Sequence, residues 1–386
     1  MRLLGVAAGV VLAVGAGAPA GAATVPDSTA SEIRRLAREV VEAGAPGVIV
    51  RVDDGDGRPV EVAEQAAWTR KDHLLKAGDE FRVGSNTKVM IATVALQLVG
   101  EGKLALTDSV EKWLPGKVPN GRAITVRMLL NHTSGLFDYT TDPVIRPSML
   151  GKGRRQWTSA QLLAIGVKHD PLFAPGKKWA YSNTNYVAIG AILERVTRSS
   201  LADLVRDRIA RPLGLQHTYF ATDASWHGSH AHGYEPDAAH MPPAVPVGFR
   251  SFAGKQHDGH VDVSGNDPGW GGAAGAVVST TRDWARFYEA LMSGKLLPAA
   301  QLAQMRTTVE PGYGLGIQTG VHPCGTFWGH DGGMPGYLST TLTDSSGSRT
   351  ATVLIATESW AEFEADPKIA KAAQALQKAA TCAMFK

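Results

Sequence analysis

The sequence predicts an α+β fold in which an antiparallel sheet, built from N- and C-terminal segments and flanked by helices, carries an inserted all-α region. Residues 48–52 and 60–68 are two apolar stretches joined by an Asp/Gly-rich turn, which is a hairpin signal. The C-terminal third contains further short strand-like runs, whereas the middle of the chain has helical spacing of apolar residues. We therefore expect an α/β lobe from residues 24–84 and 282–386, and a mainly helical lobe with long loops from residues 85–281.

Local patterns predict the individual elements. The helix over residues 31–43 ends at a Pro-Gly pair, and the helix that begins near Ser85 ends near Val99 at two glycines. Residues 221–270, rich in Gly, Pro and His, are predicted to be an ordered loop. Further helices are predicted at residues 126–131, 159–168, 185–197, 201–209, 283–292 and 363–380, and further strands at 313–318, 326–328, 337–343 and 350–356.

The first residues have the pattern of a secretory signal peptide, which we place at residues 1–23. Arg2 precedes an apolar stretch that ends near Ala16, and small residues at positions 20–23 suit cleavage. The stretch is too short for a comfortable membrane span. We therefore expect a secreted, monomeric protein without a membrane span.

Composition narrows the classes of partner and cofactor. Lys plus Arg number 39 against 36 for Asp plus Glu, and this near balance argues against nucleic acid as a partner.

Cys324 and Cys382 are the only cysteines, and in an exported chain such a pair predicts a disulfide, with two free buried thiols as the alternative. His227, His230 and His232 have a metal-like spacing, but no cysteine lies near them, so we expect neither a metal nor a cofactor.

Ser85-Asn86-Thr87-Lys88 begins a predicted helix, and residues three apart share a helix face. The Lys88 amine would therefore lie beside the Ser85 hydroxyl, where it could take the proton of a serine nucleophile. Free N–H groups and the positive dipole end of the helix suit a developing oxyanion. The same pattern also fits a capping serine and a solvated lysine.

Two later segments offer partners for this pair. Tyr181-Ser182-Asn183 is either a helix N-cap or a catalytic segment. In the second case Tyr181, as a phenolate or hydrogen-bonded to Lys88, would carry a proton to the leaving group, and Asn183 would bind a substrate carbonyl.

His330-Asp331-Gly332-Gly333, on or just after a strand, is either a plain turn with an exposed histidine or a strand edge where a substrate backbone can approach closely.

Phe81-Arg82-Val83-Gly84-Ser85-x-x-Lys88, Tyr181-Ser182-Asn183 and His330-x-Gly332, in this order, resemble the motifs of the penicillin-recognising serine hydrolases. Within that family the likeness is greatest to the soluble D-Ala-D-Ala carboxypeptidases secreted by actinomycetes, and it covers nearly the whole mature chain. Further matching positions are Gln97-Leu98-Val99, Glu101-Gly102-Lys103-Leu104, Ile124-Thr125-Val126-Arg127, Ser134-Gly135-Leu136, Asp138-Tyr139, Tyr313-Gly314-Leu315-Gly316 and both cysteines.

The resemblance implies a β-lactamase/transpeptidase-like fold and a small-molecule or peptide substrate, with β-lactams as inhibitors. It implies that Ser85 forms the acyl-enzyme and that Lys88 and Tyr181 share proton transfer.

It also assigns binding roles. Asn183 would hold the substrate amide, and the N–H groups of Ser85 and Gly333 would form the oxyanion hole. His330 would supply hydrogen bonding and positive potential near the catalytic phenol. Trp270 matches an aromatic wall of the cleft, although a lone tryptophan there could equally belong to the core.

Two positions depart from the carboxypeptidase pattern. In those enzymes a hydroxyl residue between the histidine and the glycine, together with an arginine after the Tyr-Gly-Leu-Gly-x stretch, binds the free C-terminal carboxylate of the substrate. Asp331 and Gln318 occupy these positions here. An ionised Asp331 would repel a carboxylate, and Gln318 has no charge to offset that repulsion. We therefore expect reduced or absent carboxypeptidase activity and a preference for esters, amides or internal D-amino-acid peptide bonds.

The predicted function is that of an exported serine acyl hydrolase with a covalent acyl-serine intermediate, acting on peptides, amides or esters that contain D-amino acids. The alternatives among enzymes are a β-lactamase, which must deacylate quickly, and an acyltransferase of secondary metabolism, which passes the acyl group to an amine. The alternative outside enzymes is a silent penicillin-binding sensor domain. The joint presence of Ser85, Lys88, Tyr181 and Asn183 speaks against this last alternative.

Overall fold

The computed structural model describes residues 26–386, except residues 57, 154, 242–246, 258 and 358–366. The predicted signal peptide, part of the predicted 221–270 loop and the start of the predicted closing helix lie outside the described residues.

Strands from both ends of the described chain form one antiparallel sheet. The strands are β1 (Gly47–Asp53), β2 (Val60–Gln65), β3 (Phe81–Arg82), β4 (Tyr219–Phe220), β5 (Tyr234–Pro236), β6 (Lys255–Gln256), β7 (His260–Asp262), β8 (Val277–Ser279), β9 (Gln318–His322), β10 (Gly325–Met334), β11 (Tyr337–Thr343) and β12 (Thr350–Ile355). The main sheet has six strands in the order β2-β1-β12-β11-β10-β9. The hairpin β1–β2 joins the C-terminal strands through antiparallel pairing of β1 with β12. The remaining strands form two small sheets, β3-β8-β4 and β5-β7-β6.

Helices flank this sheet and fill the chain between its two halves. The α-helices are α1 (Pro26–Glu42), α2 (Thr87–Gly100), α3 (Val110–Trp113), α4 (Val126–Leu130), α5 (Arg146–Met149), α6 (Ser159–Val167), α7 (Asn183–Thr197), α8 (Leu201–Val205), α9 (Arg211–Leu213), α10 (Gly272–Gly275), α11 (Thr281–Met292), α12 (Ala299–Arg306) and α13 (Pro367–Ala383). Single-turn 3-10 segments include Gly84–Asn86, Tyr139–Thr141 and Pro268–Gly271. In the described part of the chain, no helix combines the length and apolar content that a membrane span requires.

The main sheet separates two apolar cores. Val48, Val50 and Val353 pack into a core shared with α1 and α13, whereas Ile49 and Leu354 pack into a larger core on the opposite face. This division follows from the alternation of side chains along a strand. The larger core surrounds α2, which is apolar on nearly every side and almost wholly buried, as expected for a helix without a polar face.

The predicted α+β architecture, with a sheet drawn from both chain ends, is confirmed. The strand predicted at residues 313–318 is wrong, because Gly314 donates to the Ile317 carbonyl in a local turn and Gly316 has a φ of +80°. In contrast, the strand predicted at 326–328 extends through Met334 as β10. The histidine-glycine segment therefore lies inside a strand.

The prediction of loop alone for residues 221–270 is also wrong. Two- and three-residue strands, β5, β6 and β7, form a small sheet there. Strands of two or three residues are too short to show the alternation of apolar and polar residues by which a strand is recognised in a sequence.

A disulfide joins Cys324 to Cys382. Cys324 lies in the turn between β9 and β10, and Cys382 lies near the end of α13. The bond therefore fastens the closing helix to the edge of the sheet from which β10 runs towards the candidate site.

Candidate active site

Ser85 lies in the 3-10 turn Gly84–Asn86, between β3 and α2. Gly84 has a φ of +56°, and a Cβ at this position would lie 2.7 Å from the Gly333 nitrogen; both the backbone conformation and the close approach therefore require glycine. The Asn86 side chain donates to Ser339 Oγ at 3.0 Å, which anchors the turn to β11. Gly84 and Asn86 are buried, but Ser85 between them remains partly exposed.

The Lys88 side chain is completely buried, one helical turn beyond Ser85. Its Nζ lies 2.9 Å from Ser85 Oγ, 2.8 Å from Asn183 Oδ1 and 2.9 Å from the Ala274 carbonyl oxygen. Burial lowers the pKa of Lys88 from 10.5 to about 7, although the negative charges of Asp138 and Asp331 oppose that shift. A substantial fraction of the amine is therefore neutral near pH 7 and able to accept the serine proton.

Asn183 begins α7 and connects Lys88 to a carboxylate. Its Oδ1 accepts from Lys88, and its Nδ2 donates to Asp138 Oδ2 at 3.0 Å. Asp138 also accepts from the backbone N–H of Thr140 at 3.1 Å and from the Thr140 hydroxyl at 2.9 Å. The amide expected to hold the substrate is thus also part of an internal hydrogen-bond chain.

Tyr181 lies beside both Ser85 and Lys88. Lys88 Nζ is 4.8 Å from the centre of its ring. Burial raises the pKa of Tyr181 well above 10, and its hydrogen bond with the Ser85 side chain only partly opposes that shift. The phenolate form considered from the sequence is therefore disfavoured, and Tyr181 is a neutral phenol that can donate and accept a proton at the serine oxygen.

His330 lies in β10 and is buried. Its Nε2 is hydrogen-bonded to the Tyr313 hydroxyl at 3.0 Å. Burial and the nearby charge of Lys88 lower the pKa of His330 to about 4, despite the opposing carboxylate of Asp331. At neutral pH the imidazole is therefore uncharged, so the expectation that His330 supplies positive potential is wrong.

The glycine pair of β10 packs against the turn Gly84–Asn86, which contains Ser85 and which we call the nucleophile turn. A Cβ on Gly332 would lie 2.0 Å from the Val83 carbonyl oxygen and 2.9 Å from the Ser85 nitrogen. The pairing of β9 with β10 ends at Gly329, so β9 does not pair with the part of β10 that contains Gly332 and Gly333. This arrangement fits the predicted strand edge for a substrate backbone.

The two positions that depart from the carboxypeptidase pattern contact each other. Gln318 Nε2 donates to Asp331 Oδ1 at 3.1 Å. The Asp331 side chain is 60% exposed, so its carboxylate faces solvent near the site. The pair therefore presents a negative group where the resembling enzymes bind a carboxylate.

Other sequence candidates lie outside the catalytic group. Trp270 is 7% exposed and belongs to the larger apolar core, so the structure favours the core alternative over a cleft wall. His227 stacks on Tyr219, His230 stacks on Trp226, and His232 Nδ1 is hydrogen-bonded to Asp262 at 2.7 Å. His230 and His232 also stack on each other, with ring centroids 5.1 Å apart, so these histidines take part in ring packing and in one hydrogen bond to a carboxylate.

Sequence reasoning gave no role to His132 or to the carboxylate of Asp138. The His132 ring stacks on Tyr181 with centroids 4.3 Å apart, and its Nδ1 accepts from the Ser182 backbone N–H at 3.2 Å. Burial lowers the pKa of His132 well below 6.5, so it supports the phenol without adding charge. The family-like segment around Ser134 marks the neighbourhood of both residues, but the contacts themselves join residues 45 or more positions apart.

A partly exposed serine, a buried amine that is partly neutral, and a phenol on the same oxygen define a serine hydrolase. The sequence model named Beta-lactamase matches residues 33–376, which is most of the chain. The chain belongs to this family.

Proteins similar to this chain include Penicillin-binding protein 4* of Bacillus subtilis, which is 28% identical over 358 residues, 88% of this chain and 72% of that protein. Among solved structures, a D-stereospecific amidohydrolase from Streptomyces sp. is 34% identical with a TM-score of 0.75, over 89% of this chain and 97% of that one. The D-amino acid amidase from Ochrobactrum anthropi SV3 complexed with D-phenylalanine is 27% identical with a TM-score of 0.78, over 91% of this chain and 98% of that one.

The pH dependence of Ser85 acylation should follow the protonation of Lys88. Because the neutral amine accepts the serine proton and the pKa of Lys88 is about 7, the rate should rise through pH 7 to a plateau. The measurement is kcat/KM for p-nitrophenyl acetate from pH 5 to 9. Lys88→Arg, which stays charged throughout, should lose the reaction at every pH. An acidic limb that vanishes in His330→Asn would contradict the assignment to Lys88.

Gly332→Ala should disable acylation by displacing the nucleophile turn. The added methyl group would lie 2.0 Å from the Val83 carbonyl, and a shift of the turn by about 1 Å is expected to cost about 10²-fold in rate. Gly78→Ala is the matched control, because a Cβ there meets nothing within 4 Å. Burst kinetics with p-nitrophenyl acetate compares the two variants. Unchanged acylation in Gly332→Ala would refute the close packing.

Proposed function

We propose that this protein is an exported serine amidohydrolase that cleaves amides and esters of D-amino acids through an acyl-Ser85 intermediate. The observation that carries the proposal is the buried, partly neutral Lys88 amine within 2.9 Å of the Ser85 hydroxyl. This contact supplies a general base without requiring a metal or cofactor.

The proposed reaction has two halves. In the first, the Ser85 hydroxyl proton passes to Lys88 as Oγ attacks the substrate carbonyl, and the N–H groups of Ser85 and Gly333 stabilise the oxyanion. The bond to the leaving amine or alkoxide then breaks, and the proton reaches the leaving group through Lys88 and the phenol of Tyr181. In the second, a water molecule passes a proton to Lys88 as its oxygen attacks the acyl-ester carbonyl. The bond from the acyl carbon to Ser85 Oγ then breaks, Oγ takes back the proton through Lys88 and Tyr181, and the acid is released.

The substrate class is supported by two observations. The first is the similarity to solved structures whose names specify D-stereospecific amidohydrolase and D-amino acid amidase activity. The second is the hydrogen-bonded pair of Gln318 and Asp331, which places a carboxylate at the mouth of the site. This charge disfavours a free terminal carboxylate, and it is compatible with neutral amides and esters.

Export is supported by the disulfide between Cys324 and Cys382, because such bonds persist in oxidising compartments. The signal-like N-terminal pattern agrees with this part of the proposal.

The proposed function is tested by comparing D-phenylalanine amide with L-phenylalanine amide. We expect release of ammonia from the D-amide and an acyl adduct on Ser85 in the mass spectrum of rapidly quenched protein. Nitrocefin turnover faster than amide turnover would favour the β-lactamase alternative, and an acyl product formed only with an added amine would favour the transferase. Absence of any adduct with D-amides, D-esters or β-lactams would refute the proposal.

The Asp331 and Gln318 pair should control carboxypeptidase activity. In the double variant Asp331→Thr/Gln318→Arg, release of D-Ala from a peptide ending in D-Ala-D-Ala should increase by about tenfold or more, the effect of one charge-assisted hydrogen bond. Gln318→Arg alone is the control, because the new guanidinium would pair with Asp331. Equal rates in the single and double variants would contradict this role.

A further inference from the structure

The hydrogen bonds of Lys88 allow only one arrangement of a catalytic amine. Among the residues that the structure describes, Nζ is hydrogen-bonded to three oxygen atoms: Ser85 Oγ, Asn183 Oδ1 and the Ala274 carbonyl oxygen. A neutral amine has two N–H donors and one lone pair, and a carbonyl oxygen can only accept. When the amide and the backbone carbonyl take the two N–H groups, the lone pair is left for the proton of the serine.

This arrangement depends on which end of the Asn183 amide faces Lys88. The oxygen and nitrogen of an amide have nearly the same shape, so the amide can rotate by half a turn without a steric penalty. With the nitrogen towards Lys88, an amide N–H would donate to the lone pair of the neutral amine, and an N–H of Lys88 would face Ser85 instead. The lone pair would then be misdirected.

Asp138 provides the contact that distinguishes the two orientations. Its carboxylate lies 3.0 Å from the outer end of the Asn183 amide. A carboxylate only accepts hydrogen bonds, so the amide nitrogen must face it and the amide oxygen must face Lys88. The carboxylate is itself fixed, because its other oxygen accepts from the Thr140 backbone N–H and hydroxyl.

We propose that Asp138 is a positioning residue that fixes the Asn183 amide and thereby directs the lone pair of Lys88 at the Ser85 hydroxyl. The inference rests on the proposed function only in taking Ser85 as the nucleophile, and it holds for any acyl substrate. Asp138 also acts through its charge, which opposes the effect of burial and raises the pKa of Lys88.

Asp138→Asn tests this role. The new amide has a single oxygen, whereas donors face it both from Thr140 and from Asn183, so one contact must fail or the Asn183 amide must rotate. We expect the acylation rate with p-nitrophenyl acetate to fall by about 10²-fold, the effect of a misplaced catalytic group. The acidic limb should also move to lower pH, because a charge that raises the pKa of Lys88 has been removed. A purely structural role would leave that limb in place.

Asp142→Asn is the matched control. Asp142 caps the same loop by accepting from the Val144 backbone N–H at 2.8 Å, and its other contacts are with Lys168 and His169. The variant should change thermal stability without moving the acidic limb. The charged and titratable groups that interact with Lys88 in these comparisons are Asp138, Asp331, Tyr181, Tyr186, His132 and His330.

The reciprocal exchange Asp138→Asn/Asn183→Asp provides a rescue. The amide at 138 can keep its oxygen on Thr140 and donate to the carboxylate at 183, whose other oxygen accepts from Lys88. The double variant should therefore acylate faster than Asp138→Asn at plateau pH. Its acidic limb should move to higher pH, because a negative charge now touches Lys88 directly.

Burst kinetics with p-nitrophenyl acetate and the thermal unfolding midpoint should be measured for all four proteins. The proposal is overturned if Asp138→Asn retains the acylation rate and the acidic limb of the wild-type protein. It is also overturned if the double variant is folded but acylates no faster than Asp138→Asn at any pH. Because this ester does not require recognition of a D-amino acid, a normal burst without turnover of D-amides would count against the proposed function alone.

Discussion

Burial of the Lys88 amine is the constraint on which the rest of the site depends. An ammonium in this apolar environment is costly, and the protein responds by lowering the pKa of Lys88 to about 7 and by giving Nζ polar neighbours. The same burial leaves part of the amine neutral near pH 7, which is the form that the proposed proton transfer from Ser85 requires. The apolar helix α2 therefore has two roles: it fills the larger core, and it holds the buried Lys88 amine one turn from Ser85.

The surrounding fold delivers the other groups to this fixed point. The turn before α2 packs against the glycines of β10 so closely that a methyl group on Gly332 would overlap the Val83 carbonyl. The start of α7 brings Asn183 to the amine, and the ring of His132 supports Tyr181. Lys88, Asn183 and Gly332 thus lie in regular elements, which position groups more rigidly than long loops do. Tyr181 and His132 lie outside such elements but within two residues of α7 and α4.

Strand alternation predicted the sheet from both chain ends, and the Ser-x-x-Lys spacing predicted the contact of Lys88 with Ser85, because both are local patterns. The roles of Tyr181 and Asn183 beside Ser85 were expected from the resemblance to a known family. The sequence did not predict the role of Asp138, since its contact with Asn183 joins residues 45 positions apart and only folding brings them together. The error on the charge of His330 has a similar cause. Its low pKa comes from burial and from Lys88, and neither is visible in the four residues of its motif.

The charges around the serine also bear on the choice of substrate. When Lys88 is neutral, as acylation requires, its positive charge is absent, and His132 and His330 are neutral as well because burial lowers the pKa of each. Lys88, His132 and His330 then supply no positive charge to balance the carboxylates of Asp138 and Asp331. A substrate that brings a carboxylate meets repulsion at the moment when the base is active, whereas a neutral amide or ester does not. The proposed acylation therefore uses the state of Lys88 in which the nearby charges disfavour a free C-terminal carboxylate.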